Sequence, residues 1–304
     1  MADTRPLSPT LRPMSVADVV DEIFRLYRRN PALLFGVSAV IWLPASIALF
    51  VFQFVTFHDL PTLDNPRVTV TPAQLADSVA ALLAALAIAF LVGVVAGPLL
   101  LGAITDAVSA RYLGRPVTIT SSVRRAFACY LRIIAAFVIV VLAATVSSLA
   151  IALVGSVAAA AVGGIAALAL VFLAITGAIV AFVWIVTTWT LTGQAIVIEN
   201  AGVFAALSRS RALVSGSRWR VLGLNSLLYL IQFVLFTVPS AAVALITTPL
   251  PSPLGPAISQ VVTALAQIAY FPIQLGTLTL LYYDLRVRKE AFDLSLAAEQ
   301  LTPA

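Results

Sequence analysis

Charged residues are scarce in this sequence, and their scarcity excludes most classes of soluble protein. Only 10% of the 304 residues are charged, whereas 61% are hydrophobic. Soluble domains carry about 25% charged residues, so a water-soluble chain of this composition could not cover its own surface. Much of the chain must therefore use a lipid bilayer as its solvent, which requires backbone groups to be paired internally.

Cysteine and histidine each occur only once, as Cys129 and His58. A single cysteine excludes an internal disulfide. A metal site built from one copy of each residue is not expected, because zinc-type sites need three or four such ligands. We therefore predict no metal and no other cofactor. Lys289 is the only lysine among 18 basic residues, and this preference for arginine, together with the many alanines, is typical of a GC-rich bacterial genome.

Uncharged stretches of about 20 residues, the length that crosses a bilayer, indicate the fold class. Six such stretches predict an all-α membrane protein with about six transmembrane helices. The third and fourth belong to one uncharged run, which must turn either at Gly155-Ser156 or at Gly163-Gly164. The expected spans cover residues 33–57, 75–105, 133–154, 165–190, 221–247 and 257–283.

The basic residues fall on one side of this six-span topology. Seventeen of the 18 lie before the first span, after the last, or between spans two and three or four and five, and only Arg67 lies on the other side. Basic residues gather in the cytoplasmic segments of membrane proteins. We therefore expect both termini in the cytoplasm and a multi-pass protein of the bacterial plasma (inner) membrane. The same rule explains the net charge of +5 without a nucleic-acid partner.

Amphipathic segments precede the odd-numbered spans. Residues 16–29 place apolar and charged side chains on opposite helical faces, with Ser15 as the expected N-cap, and residues 121–132 and 202–218 have a similar pattern. The pattern predicts three repeats of an interfacial helix plus a helical hairpin. The alternative is that any short basic segment at a membrane looks amphipathic. The expected division is a disordered cytoplasmic N-terminus, a polytopic membrane domain and a cytoplasmic tail, at residues 1–14, 15–290 and 291–304.

Ionisable side chains are missing from the middle of the expected spans. Such residues usually mark transport or catalysis in a membrane protein, and the sequence contains no metalloprotease, nucleophile-elbow or phosphate-loop motif. Asp106, Glu199 and Asp284 each lie just past an even-numbered span, near arginines. We interpret these three carboxylates as structural ion pairs and predict that the protein is not an enzyme.

Amide and hydroxyl side chains instead form stripes on the last three spans. Glutamines recur every seven residues along the sixth span, each followed three residues later by a hydroxyl residue, so they share one helical face. The fifth span carries a second stripe. Either the stripes line a polar path or head-group pocket, or they form interhelical hydrogen bonds that contribute about 0.6 kcal/mol each. The candidate binding residues are Asn225, Tyr229, Gln232, Gln260, Gln267, Tyr270 and Gln274.

Small residues in the second span match a known packing motif. Gly93 and Gly97 are separated by three residues, the spacing found where membrane helices pack closely. We expect ordinary close packing of these glycines within the bundle. Pro98 follows directly, and we expect a kink there.

Three stretches of the sequence resemble a known family. They are Leu11–Asn30, the segment from Glu199 to Arg220 with Glu-Asn-Ala-Gly and Gly-Ser-Arg-Trp-Arg, and Leu281–Leu294. Together they resemble prokaryotic membrane proteins often labelled as the glycerophosphoryl diester phosphodiesterase membrane domain. The resemblance covers nearly the whole chain and is most specific at the C-terminal stretch. The family pattern has glycine at the position of Ala291, where a glycine would suit a helix C-cap.

The resemblance implies a stand-alone membrane domain without an assigned activity. In proteins that have the phosphodiesterase activity, a separate soluble domain follows the membrane part, and only about twenty residues follow the sixth span here. The resemblance therefore implies the fold of that membrane domain and not its enzymatic name.

The sequence favours a non-enzymatic membrane scaffold or accessory component of the bacterial cell envelope. The alternative is a permease or a lipid-binding carrier that uses the polar stripes. A deep polar cavity open to one side would favour the carrier, whereas a filled bundle with a flat apolar flank would favour the scaffold. Membrane lipids and other membrane proteins are the expected partners in both cases, and nucleic acid is not.

Overall fold

The computed structural model describes residues 13–57, 71–247 and 254–291, and within them it is helical, without strands. Predictions for the other residues, including the loop around Arg67 and most of the C-terminal tail, lie outside the described part. The helices are α1 (Val16–Arg29), α2 (Pro31–Phe57), α3 (Pro72–Tyr112), α4 (Ile119–Val162), α5 (Gly164–Thr188), α6 (Thr192–Glu199), α7 (Val203–Val214), α8 (Arg218–Thr247) and α9 (Leu254–Glu290).

Six helical stretches in the described part are long and apolar enough to cross a membrane, which confirms the all-α, six-span fold class. They extend beyond the uncharged runs because their ends include polar and charged residues. The stretches are Pro31–Thr56, Pro72–Tyr112, Ile119–Val162, Gly164–Glu199, Arg218–Thr247 and Ala257–Glu290. Helices α2 with α3, α4 with α5, and α8 with α9 pack as neighbours along the chain.

The turn between the third and fourth spans lies at Gly163-Gly164, the second of the two predicted positions. Gly163 ends α4 with a φ of 68°, a left-handed conformation that glycine adopts without steric cost. Gly155 instead lies within α4, where an added Cβ would approach the Cβ of Ala174 on α5 to 2.0 Å. The glycine at 155 therefore serves the close packing of the hairpin.

The amphipathic segments are all helical, but one is not a separate helix. Helix α1 begins at Ser15, which forms a capping box with Asp18, and α7 is a distinct helix of 12 residues. The segment 121–132 is the first part of α4, which begins at the N-cap Thr118 and runs on to Val162. This segment runs into the third span without a break, since no helix-breaking residue interrupts the backbone hydrogen bonds after Arg132. The threefold repeat stays a prediction.

Buried side chains concentrate at one end of the bundle, the end that carries α1, α6 and α7, here termed the basic end. The core there includes Leu100, Ile104, Ile196 and Leu281, none more than 2% exposed. The far part of the α4–α5 hairpin is open, with Phe172, for example, 73% exposed. Apolar side chains with this exposure suit contact with lipid rather than water.

The described N-terminal residues are also held by the basic end. Met14 is 7% exposed, and its N–H donates to the carboxylate of Asp284 at 2.7 Å. A long-range hydrogen bond thus fixes the chain at residue 14, just before α1. At the other end, Ala291 follows α9 with a φ of 48°, the conformation that the glycine of the family pattern would favour.

Close helix packing on α3 occurs at Gly102, and not at the predicted pair. A Cβ added to Gly93 or Gly97 would meet nothing within 4 Å, whereas one at Gly102 would lie 3.0 Å from the Cα of Ala126 on α4. The prediction of close packing at Gly93 and Gly97 was therefore wrong. Gly102 lies nearer the basic end, where the helices converge. Pro98 lies inside α3, which continues through it.

We expect Gly102→Leu to destabilise the protein, because the side chain must force α3 away from the α4 backbone. Overpacking of this kind costs about 1–3 kcal/mol, so the thermal midpoint in detergent should fall by several degrees. Gly93→Leu is the matched control, since it adds the same side chain to the same helix where space is open. Equal losses in both variants would contradict the packing described here.

Candidate functional site

The polar stripe of α9 joins this helix to α2. The side-chain oxygen of Gln267 accepts a hydrogen bond of 2.7 Å from the indole N–H of Trp42. About two turns earlier in α9, the amide of Gln260 donates to the backbone carbonyl of Ser46 at 3.4 Å. Trp42 also packs edge-on against Phe271, with ring centroids 4.8 Å apart. Two of the predicted glutamines are therefore used in contacts between helices.

Tyr270 joins α9 to α8 in a similar way. Its side chain is 1% exposed, its hydroxyl donates to the carbonyl of Leu228, and its ring lies 5.8 Å from that of Phe236. Thr277 donates to the carbonyl of Ile273 in its own helix, at 2.6 Å. The stripe thus has its hydrogen bonds on both sides of α9, toward α2 and toward α8.

In the described part of the chain, the polar side chains of the α8 stripe have fewer hydrogen-bond partners than those of α9. Tyr229 is 59% exposed, whereas Asn225 and Gln232 are half-buried. The side-chain oxygen of Gln232 is buried and has no hydrogen-bond partner within the described residues. Gln274 on α9 is half-buried as well. The predicted residues therefore lie along two neighbouring helices, but Tyr229 points away from the bundle.

Within the described residues, the groove beside Gln260, the predicted glutamine nearest the start of α9, is apolar. Gln260 borders a groove of 160 Å³ between α2 and α9, whose other walls include Leu43, Ile47, Phe50 and Val261. A second groove, of 520 Å³, lies between α2 and α3 and is also lined by apolar side chains. These grooves offer almost no hydrogen-bonding groups to a polar solute, which needs several to enter a membrane site.

A buried carboxylate organises the basic end. Asp284 is 1% exposed, forms ion pairs with Arg220 at 2.9 Å and Arg288 at 3.1 Å, and accepts the N–H of Met14 at 2.7 Å. Both guanidinium groups also donate to the carbonyl of Met14. One side chain of α9 therefore holds together the start of α8, the end of α9 and the segment before α1.

A second ionic cluster lies at the surface of the same end. Glu199, at the end of α6, pairs with Arg209 at 2.8 Å and with Arg286 at 3.5 Å, and it accepts the hydroxyl of Tyr282. Arg209 also pairs with Glu290. The hydrogen bond to Glu290 is the main reason why the pKa of Arg209 is raised, and burial opposes it in part. This cluster connects α6, α7 and α9.

The interpretation of the carboxylates as structural ion pairs is confirmed for Glu199 and Asp284. Asp106 accepts a hydrogen bond from the hydroxyl of Ser122 at 2.9 Å, which links α3 to α4. In the described residues, no group of three or more His, Cys, Asp or Glu side chains could hold a metal ion. Each of these three carboxylates contacts a side chain of another helix.

The break between α5 and α6 was missed by the sequence analysis, which ended the fourth span at residue 190. The buried hydroxyl of Ser210 on α7 donates to the carbonyl of Thr188 at 3.0 Å and accepts the N–H of Leu191 at 3.3 Å. A side chain from another helix thus satisfies backbone groups that the broken helix leaves free. The threonines at the end of the fourth span were the signal, but their bonding partner lies about twenty residues later.

Arginines of α4 hold the end of α6. Arg125 donates to the carbonyl of Val197 at 2.8 Å, and Arg132 donates to the carbonyl and side-chain oxygens of Asn200 at 3.1 and 2.8 Å. Asn200 has a φ of 55°, as is common for residues that end helices. Cations near a helix C-terminus are favourable because the last carbonyls are unpaired. Inside α6, both amide atoms of the fully buried Gln194 lack partners within the described residues.

The comparisons with known proteins identify a family but no activity. A family model described as Domain of unknown function (DUF7847) matches residues 14–285, so the chain belongs to that family. No curated protein matches the chain, and no solved structure does either. The resemblance to the glycerophosphoryl diester phosphodiesterase membrane domain stays a prediction. The matched region begins at Met14 and ends next to Asp284, the two residues that the buried hydrogen bond joins.

We expect Asp284→Asn to destabilise the protein strongly. The substitution leaves Arg220 and Arg288 without their buried counter-charge, and breaking one partner of a buried ion pair costs about 3–5 kcal/mol. Thermal unfolding in detergent should show a much lower midpoint. Glu22→Gln is the control, because its ion pair joins it to the exposed Arg25 of the same helix and local pairs with an exposed partner contribute less than about 1 kcal/mol. An Asp284→Asn midpoint equal to that of Glu22→Gln would exclude the central role of this carboxylate.

Proposed function

We propose that this member of the DUF7847 family is a non-enzymatic scaffold or accessory component of the bacterial plasma membrane, with both termini in the cytoplasm. One observation carries the proposal: three of the seven polar side chains that could have lined a substrate path, Gln260, Gln267 and Tyr270, form hydrogen bonds with neighbouring helices. Gln267 is paired with Trp42, and Tyr270 with the backbone of α8. Transport requires polar groups that can exchange their hydrogen-bond partners for a solute. Gln267 and Tyr270 instead have hydrogen-bond partners within the helix bundle.

The α4–α5 hairpin supports a role in binding another membrane protein. It is anchored at the basic end by α4, whose first part packs against α3 and α6, while its far part exposes apolar side chains such as Leu153 and Phe172. Its two helices approach closely at Gly155, so they form a narrow, continuous surface. We propose this flank, the exposed far part of α4 and α5, as the surface that contacts a partner within the bilayer.

One observation favours the carrier as a second candidate. The oxygen of Gln232 is buried without a hydrogen-bond partner in the described part of α8 and its neighbours. An unpaired amide acceptor costs about 1–3 kcal/mol, and a bound head group with a hydroxyl or ammonium donor would remove that cost. A single such acceptor gives less specificity than the several polar groups of a usual ligand site, so the scaffold remains the better supported function.

We expect Gln267→Leu to stay folded, with a small change in stability and no loss of ligand-dependent stabilisation. The substitution removes one interhelical hydrogen bond, which contributes about 0.6 kcal/mol. A thermal-shift screen of wild type and variant against lipids and polar solutes is the measurement. Tyr229→Phe is the control, because it changes an exposed residue of the neighbouring stripe. A ligand that stabilises the wild type by several degrees, but neither Gln267→Leu nor Gln274→Leu, would replace the scaffold with the carrier.

The scaffold proposal also predicts where a partner contacts the chain. A photoreactive residue at position 153 or 172 should give, in intact cells, one discrete protein adduct of the same mass from both helices. The control is position 83 on α3, because Leu83 is similarly exposed at 60% but lies outside the hairpin. The same set of adducts from all three positions would indicate random collisions in the membrane and contradict the assigned surface.

A further inference from the structure

Arg218 differs from the other arginines around it at the start of α8 and the end of α9. Arg220, Arg286 and Arg288 each form ion pairs, whereas Arg218 has no carboxylate or other hydrogen-bond acceptor within the described chain. Its Nε atom, like that of Arg220, is buried without a partner among the described residues. Its guanidinium lies over the ring of Trp184 on α5, 4.4 Å from the ring centroid, which fixes its position but leaves its charge uncompensated.

An apolar groove begins at this guanidinium. It has a volume of 380 Å³ and lies between α5 and α8, within the size range of known ligand sites. Its α5 wall is formed by residues 179–187, whose eight-residue rise corresponds to about 12 Å. That length is comparable to the hydrocarbon thickness of one leaflet, about 15 Å. The lining residues are Ile179, Val180, Val183, Trp184, Thr187, Arg218, Trp219 and Leu222.

We propose that this groove binds an anionic phospholipid, with one acyl chain along α5 and the phosphate at Arg218. The apolar walls match the chain, and the unpaired cation at one end of the groove matches the phosphate. The groove is separate from the polar stripes of α8 and α9, and the assignment goes beyond the scaffold role. It holds whether or not a partner binds the α4–α5 flank.

The position of the two tryptophans agrees with this orientation of the lipid. Trp219 is 83% exposed and lies next to Arg218 on the first turn of α8, while Trp184 lies one turn before the end of α5. Tryptophan is enriched at the level of lipid head groups because its ring is apolar and its N–H is polar. The first turn of α8 adds partial positive charge from its free N–H groups. The phosphate therefore meets the protein at the depth where head groups lie.

An anionic lipid is favoured over a zwitterionic one by the charges at this site. Among the groove-lining residues, Arg218 is the only charged one. A phosphatidylcholine head group would bring its own cation close to Arg218 and reduce the attraction, whereas phosphatidylglycerol would bring a net negative charge. A small soluble phosphate would satisfy the guanidinium but leave the 380 Å³ groove unfilled, so it should bind far more weakly.

The test measures lipid binding to purified, delipidated protein by native mass spectrometry and by thermal shift. Phosphatidylglycerol, phosphatidylcholine and free glycerol phosphate are titrated separately. We expect tight binding and a higher thermal midpoint with phosphatidylglycerol only. Arg218→Gln should weaken this binding at least tenfold, because it removes the charge. Val183→Trp should do the same while keeping the charge, because its ring fills the groove, and Ile179→Phe serves the same purpose if that variant fails to fold.

Arg211→Gln is the matched control, since Arg211 is an exposed arginine of α7 outside the groove. It should bind phosphatidylglycerol as the wild type does. Equal weakening in Arg211→Gln would indicate general surface attraction and overturn the site. Full binding by Arg218→Gln, equal affinity for phosphatidylcholine, or equal affinity for glycerol phosphate would each overturn it as well. None of these results depends on the adducts at the hairpin, so the two proposals can fail separately.

Discussion

The buried carboxylate of Asp284 is the constraint on which the basic end depends. It lies in the interior with two guanidinium groups and the backbone of Met14 around it, and removal of the carboxylate would leave both guanidinium groups without their counter-charge. Satisfying all of them requires α8, α9 and the segment before α1 to meet at one point. The N-terminal and C-terminal ends of the matched family region are therefore held together by one side chain of α9.

From this fixed end, the helices separate toward the other side of the bundle. The second ionic cluster, centred on Glu199, and the hydroxyl of Ser210 attach α6 and α7 to the same core. Farther away, packing relies on small residues such as Gly155, and the apolar side chains of α4 and α5 are exposed. A rigid polar end and an open apolar hairpin together suit a protein that is anchored on one side and makes contacts within the bilayer.

Much of the fold could be predicted from the sequence, and the candidate site only in part. The lengths of the uncharged runs and the positions of the basic residues predicted the six spans. A bilayer accommodates only segments whose backbone groups are hydrogen-bonded internally and that carry few charges. The heptad spacing of the glutamines predicted one shared face, and Gln260 and Gln267 both contact α2, but the spacing could not identify Trp42 as a partner. The prediction of close packing at Gly93 was wrong because residue spacing alone does not show which face of a helix contacts another helix.

The sequence by itself determined the fold class, the grouping of basic residues in alternate connections and two possible positions for the turn between the third and fourth spans, since these follow from local hydrophobicity and backbone conformation. Only the structure placed that turn at Gly163. The tertiary structure alone decided which polar groups are paired. Ser210 interrupts a helix about twenty residues earlier, and Asp284 binds a residue 270 positions away. Within the described residues, Arg218 lacks an anionic partner and lines an apolar groove. Such facts depend on distances between helices, and the linear order of residues does not contain those distances.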